Sequence, residues 1–142
     1  MYDTILVPTD GSDAAMKAVD HAVDLAAQYD ATLHVLAVVD PTSFSTLDVD
    51  PSTVVVAMER QAREAAQRVE TVADEAGVAV ETAVVRGDPA RTITTYATDN
   101  EADLVVMGTH GRSGLDRYLL GSVTERVVRT ADVPVLTVRY EE

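Results

Sequence analysis

The sequence predicts an α/β domain: one open sheet of five parallel strands with helices on both faces. Three observations carry the prediction. Short, β-branched apolar runs alternate with helical patterns from end to end. The first, second and fourth runs are almost continuously apolar, as strands covered on both faces must be. The chain has 142 residues, 46% of them hydrophobic, which suits one core, and it contains no linker long enough to divide domains.

Taken in order, the first strand is Thr4 to Pro8 (TILVP). A helix follows from Asp13 to Tyr29, because Ala15, Ala18, Val19, Ala22, Val23 and Ala26 form one apolar stripe at helical spacing. The second strand is Thr32 to Val39 (TLHVLAVV). After it, residues 40 to 51 (DPTSFSTLDVDP) make the one long irregular piece, a candidate lid or partner surface. Residues 52 to 76 are helical: Met58, Ala62, Ala65, Val69, Val72 and Ala76 share a face, Glu59 and Arg63 form an i, i+4 pair, and Gly77 suits a left-handed cap. The third strand, Val78 to Val85 (VAVETAVV), carries Glu81, and the fifth, Val133 to Val138 (VPVLTV), carries Pro134 at its start. Both therefore belong at sheet edges. Between them, Asp88 before Pro89 is an N-cap with proline at the first helical position, and this helix turns Ile93 and Ala97 to the core. The fourth strand is Asp103 to Met107 (DLVVM), and the last helix runs from about Ser122 to Ala131. No internal repeat or low-complexity tract interrupts this order.

Charge narrows the functional class. Twenty-four acidic residues face eleven basic ones, for a formal net charge of −13, and Lys17 is the single lysine, which argues against a nucleic-acid surface or attraction to anionic lipid. An excess of Asp with Arg in place of Lys resembles the proteins of salt-loving microbes, where a Debye length of about 3 Å at molar salt screens self-repulsion. With no cysteine, disulfides and thiolate metal sites are excluded. The N-terminus MYDTILVPTDGSD lacks a basic stretch leading into a long apolar one, and no apolar run reaches the eighteen or so residues that span a bilayer. We expect a soluble, cytoplasmic protein.

Ligands of open parallel sheets sit outside the carboxyl ends of the strands, where the strand order reverses. The loops to search are PTDGSD after the first strand, VVDPTS after the second and GTHGRSGLDRYLLGS, residues 108 to 122, after the fourth. Two nucleotide signatures are absent: no GxxxxGK[ST] string exists, and the first strand is followed by Gly11 alone rather than GxGxxG. Phosphate would have to be held by backbone amides, hydroxyls, arginine or a metal. The third loop offers such groups. Gly108, Gly111, Gly114 and Gly121 permit positive φ and close approach, the amides at the start of the last helix point back into the same space, and His110, Arg112 and Arg117 add local positive potential. A plainer reading competes: Ser122 and Glu125 match an S-x-x-E capping box, and glycine-rich loops often only turn the chain.

The loop resembles the nucleotide motif of the universal stress protein family, G-x2-G-x9-G-[ST], with Gly108, Gly111, Gly121 and Ser122 in the fixed places. ILVPTDGS, VVRGDPA, ADLVVMGTHGRSG, LLGSVTERVV and VPVLTVR look like the family's other signatures, so the likeness covers nearly the whole chain. It implies a Rossmann-like fold with strand order 3-2-1-4-5 and membership of the ATP-binding subclass, with ATP, ADP or AMP as ligand and Mg²⁺ as companion. It also implies roles. Pro8, Thr9 and Asp10 would flank the adenosine, the main chain near Val39 the adenine edge, and Met107 and Gly108 the ribose side. Gly111, with the amides of His110 and Arg112, and then Gly121, Ser122 and Val123 would hold the phosphates.

Alternatives stay open residue by residue. Asp10 can be an N-cap or Asx-turn, or else the one carboxylate at the metal side; His110 can be a general base, a phosphate donor or neither; His34 and His21 read as structural. Function divides accordingly among a regulatory ATP-binding module, a slow Mg²⁺-dependent ATPase and a nucleotide-free dimeric or chaperone-like protein, and we favour the first. The fifth strand is an apolar edge that invites pairing, and the family commonly dimerises there, so a homodimer joined near residues 133 to 139 is expected.

Overall fold

A computed structural model of the chain describes residues 1–44, 51–110 and 120–140. Five parallel strands form one sheet: β1 (Thr4–Pro8), β2 (Thr32–Val39), β3 (Val80–Arg86), β4 (Leu104–Gly108) and β5 (Val135–Val138), in the order β3-β2-β1-β4-β5. The edges are β3, which carries Glu81, and β5, which starts just after Pro134. Helices α1 (Asp13–Tyr29), α2 (Pro51–Glu75), α3 (Pro89–Asp99) and α4 (Ser122–Thr130) connect them.

Alternation along the central strands builds two cores. Ile5 and Val7 of β1 and Leu33 and Val35 of β2 meet Val19 of α1 and Val69 of α2 on one face. Leu6 and Leu36 face the opposite way, to Ile93 of α3 and Val127 of α4. Ile5, Leu6 and Val7 are all completely buried, the reason β1 reads as an unbroken apolar run. Pairing of Ile5 with Leu33 on one side and Leu104 on the other fixes the register of the three central strands.

Several boundaries move, each for a local reason. The third strand begins at Val80 rather than Val78, because Gly77 (φ 72°) turns the chain while the amides of Gly77 and Val78 bond back to Asp74 and Ala73 and close α2. Ala76 is exposed at that turn, not part of the apolar face. Glu59 finds its partner across the interface in Arg86 of β3, instead of along the helix in Arg63. Asp103 stands outside β4: its carboxylate accepts from the amides of Asp3 (2.8 Å) and Thr4 (3.0 Å) and ties down the start of β1. The fifth strand begins at Val135, one residue after Pro134, whose carbonyl accepts from Val105. Of the 40–51 stretch, Pro41–Phe44 is a 3-10 turn begun by Asp40, which accepts from the amide and hydroxyl of Thr42; residues 45–50 lie outside the described residues.

Candidate functional site at the switch of strand order

The strand order reverses at β1, whose neighbours are β2 and β4. A cavity of about 260 Å³ opens there, at the carboxyl ends of the strands. Pro8, Thr9 and Asp10 from the end of β1, Leu36 and Val38 of β2, Met107, Gly108 and His110 from the end of β4, and Gly121, Ser122, Val123 and Thr124 at the start of α4 line it, with Ala15, Pro89 and Ile93 completing the wall. Val39 does not line it. Its side chain is buried, and its carbonyl accepts from Gly87, while Leu36 and Val38, two residues apart, present the same face of β2 to the cavity. Gly111 and Arg112, together with Gly114 and Arg117, lie outside the described residues.

The wall at β1 is a chain of local bonds. Thr9 is buried; its amide donates to the Leu36 carbonyl (2.9 Å) and its hydroxyl accepts from the Gly11 amide (3.1 Å). Asp10 makes an Asx-turn, accepting from the Ser12 amide at 2.9 Å across Gly11, whose φ of 80° the turn requires. The N-cap of α1 is Ser12 rather than Asp10: its hydroxyl accepts from the Ala15 amide (3.2 Å). Asp10 is exposed and remains part of the cavity wall.

The wall at α4 differs from the capping box that Ser122 and Glu125 spell out. Gly121 is the N-cap, with no side-chain cap bond, and Ser122 is the first helical residue. Glu125 instead accepts from Arg129 one turn on, at 2.6 Å. The first amides of α4 therefore reach the cavity wall without a side-chain cap. Thr124, buried, donates its hydroxyl to the Gly108 carbonyl (2.8 Å) and fastens the helix to the end of β4. The Gly121 amide donates to Thr109 (2.6 Å), and Thr109 in turn donates to Val138 of β5 (3.1 Å). No sequence pattern singled out Thr124, since its value lies in reaching a carbonyl sixteen residues away.

The two described glycines of this loop work by closeness, not by positive φ. A Cβ on Gly108 would lie 3.0 Å from the Ala14 carbonyl oxygen, and one on Gly121 would lie 3.1 Å from the His110 Cα. Both contacts are with backbone, so a side chain at either place pushes β4 from α1, or α4 from the loop. His110 carries its own restraints: Nδ1 is 3.3 Å from the Thr109 hydroxyl, and the ring sits 6.1 Å from that of Tyr140, inclined by 55°.

Two titratable groups near α3 are shifted. The Arg91 amide donating to Asp88 (3.1 Å), with the Arg126 guanidinium of α4 at 3.4 Å, holds the Asp88 carboxyl below the usual Asp value. Burial, with the Glu81 charge nearby, pushes the Tyr96 phenol up. His34 joins these elements, with Nδ1 at 3.0 Å from the Tyr96 hydroxyl and Nε2 at 3.0 Å from Glu81, which fits the structural reading; His21 is exposed on α1. Among the described residues no three His, Cys, Asp or Glu side chains gather as metal ligands, and no helix is long and apolar enough to cross a membrane.

An open five-stranded parallel sheet, with a cleft at its switch point flanked by an uncapped helix N-terminus, defines an α/β domain of the Rossmann-like class. The sequence profile of the universal stress protein family matches residues 1–139. The chain belongs to that family. Its relatives include the universal stress protein MJ0531 of Methanocaldococcus jannaschii, 40% identical over 141 residues, with 98% of this chain and 83% of that one covered. The fold superimposes on the solved structure of the hypothetical protein MJ0577 with a TM-score of 0.89, at 29% identity and with 100% and 99% of the two chains covered. A universal stress protein solved in complex with cAMP gives a TM-score of 0.76 at 29% identity, with 99% of each chain covered.

Proposed function

We propose that this chain is a regulatory stress-response module that binds an adenine nucleotide, ATP or its products ADP and AMP, in the cleft between β1 and β4. The observation that carries the reading is the α4 N-terminus: its amides lack a side-chain cap and belong to the same cavity wall as the close-packed Gly108. Such a terminus favours phosphate by its dipole and its free N–H groups. Leu36, Val38 and Ile93 supply apolar lining for a base in the same cavity. The cAMP complex of a relative supports an adenine ligand.

In this reading Pro8, Thr9, Asp10 and Met107 line the nucleoside half, and Gly108, His110, Gly121, Ser122 and Val123 the phosphate half, with Gly111 and Arg112 as the family motif would have them. Among the described residues of the wall, Asp10 is the one carboxylate, and it suits Mg²⁺, which commonly binds through one or two carboxylates together with substrate phosphates. The metal would neutralise phosphate charge; Asp10 would orient it. Such a wall holds and orients rather than turns over, so binding is the function and hydrolysis at most slow.

Titration of ATP with Mg²⁺ into the nucleotide-free protein by calorimetry in high salt tests this, with one nucleotide bound per chain as the expected result. No heat, and no adenine nucleotide released on denaturing the purified protein, would overturn it in favour of a protein-interaction role. The β5 edge is proposed as the homodimer contact: it has a strand neighbour on one side only, with Leu136 exposed on it. Light scattering in high salt should give twice the chain mass of 15.2 kDa, and a monomer mass would refute the contact.

A further inference from the structure

We propose that Tyr140, on the segment that leaves β5, is a positioning residue for the ligand's phosphates, acting through His110. The proposal rests on the nucleotide reading above. The backbone at Thr109 is pinned from two sides, its amide bonded to Val138 and its carbonyl to the Gly121 amide, so the chain carrying His110 has little freedom. What is left is rotation of the imidazole, and two groups restrain it: the Thr109 hydroxyl at Nδ1 and the Tyr140 ring, 6.1 Å away at 55°, within the range of favourable aromatic pairs. The contact allows either direction; in the tautomer in which the Thr109 hydroxyl donates to Nδ1, the ring proton sits on Nε2. A fixed N–H on the cavity wall is a donor for an anion. It stands beside the α4 cap, where a Gly121 Cβ would be 3.6 Å from the His110 Cβ. An imidazole donor and helix amides side by side recognise phosphate better than either alone, provided the ring is held.

Tyr140 therefore supplies order rather than contact. Replacing Tyr140 by Ala should lower ATP affinity about three- to tenfold, the scale of one aromatic pair, while adenosine affinity stays within twofold. Tyr140→Phe, which keeps the ring, should restore ATP binding. His110→Ala should lose at least as much, and adding Tyr140→Ala to it should cost nothing further. In parallel, the His110 imidazole proton resonances of the ligand-free protein should shift in Tyr140→Ala as the ring current is lost. ATP affinity unchanged in Tyr140→Ala, equal losses for ATP and adenosine, or additive losses in the double variant would each overturn the positioning role while leaving the nucleotide site standing. A wild-type protein that binds neither ATP nor adenosine would overturn the site itself, and the positioning role with it.

Discussion

The N-termini of α3 and α4 border one cavity and are finished in opposite ways. At α3, Asp88 caps the Arg91 amide and Pro89, at the first position, has no N–H to satisfy. At α4, Gly121 brings no side chain and Ser122 bonds no amide as a cap, so the same kind of helix end keeps its donors for something else. Position cannot explain the contrast, because both ends are anchored: Arg126 of α4 reaches Asp88 of α3, and Thr124 reaches the β4 carbonyl. The difference gives the cleft a direction. Its α3 side presents Pro89 and Ile93 beside a side-chain-capped helix end, which the proposed reading gives to the base, whereas its α4 side lacks a side-chain cap, which that reading gives to phosphate.

The sharpest way to break the comparison is to finish α4 as α3 is finished. Gly121→Asp would place a capping carboxylate over the free amides and a negative charge where phosphate is proposed to sit. We expect ATP affinity to fall about a hundredfold or more, since hydrogen bonds to charged groups are lost and a like charge is gained. The added Cβ also presses on the His110 Cα, so circular dichroism and a melting curve must accompany the calorimetry. A folded Gly121→Asp protein that binds ATP as tightly as wild type would show that the α4 end is not the phosphate site.

Which parts of this contrast could be read from residues alone follows from how local each device is. Asp88 with Pro89 was legible because cap and first position are neighbours in sequence and carry one meaning. The strands and the alanine stripe of α1 were legible for the same reason: periodicity is a local signal, and Ala15, Ala18, Val19, Ala22, Val23 and Ala26 are all buried. Ser122 and Glu125 left two readings open because a capping box states only that a bond is available; Glu125 pairs with Arg129 one turn away, and the helix begins at Ser122 as expected, with Gly121 as its N-cap. The glycines were recognised, but their use at 108 and 121 is set by Ala14 and His110, which pattern does not bring near. Tyr140 carried no signal at all. Its neighbour His110 is thirty residues away and meets it only once β5 lies beside β4.

The smallest expected effect lies at the finished end. Asp88→Ala removes the cap of α3 and the partner of Arg126, so the melting temperature should fall by about 2–4 °C. ATP affinity should change less than about threefold, because α3 borders the cavity through Pro89 and Ile93, neither of which is part of the proposed phosphate half. The acid limb of stability separates the cap from a mere packing effect. The native Asp88 carboxyl titrates below its ordinary value, so its contribution is fully present above about pH 5, where the unfolded chain's Asp is ionised, and is lost as pH falls through the lower native value. The difference between wild type and Asp88→Ala, followed by urea unfolding from pH 7 downward, should therefore stay level to about pH 5 and then narrow below pH 4. Because the group is exposed and its Arg126 partner is at the surface, molar salt should trim only the part owed to Arg126 and leave the cap bond to Arg91. A gap that widens in acid, or an affinity loss at Asp88→Ala rivalling that of Gly121→Asp, would mean that both helix ends serve the ligand and that the cleft has no direction.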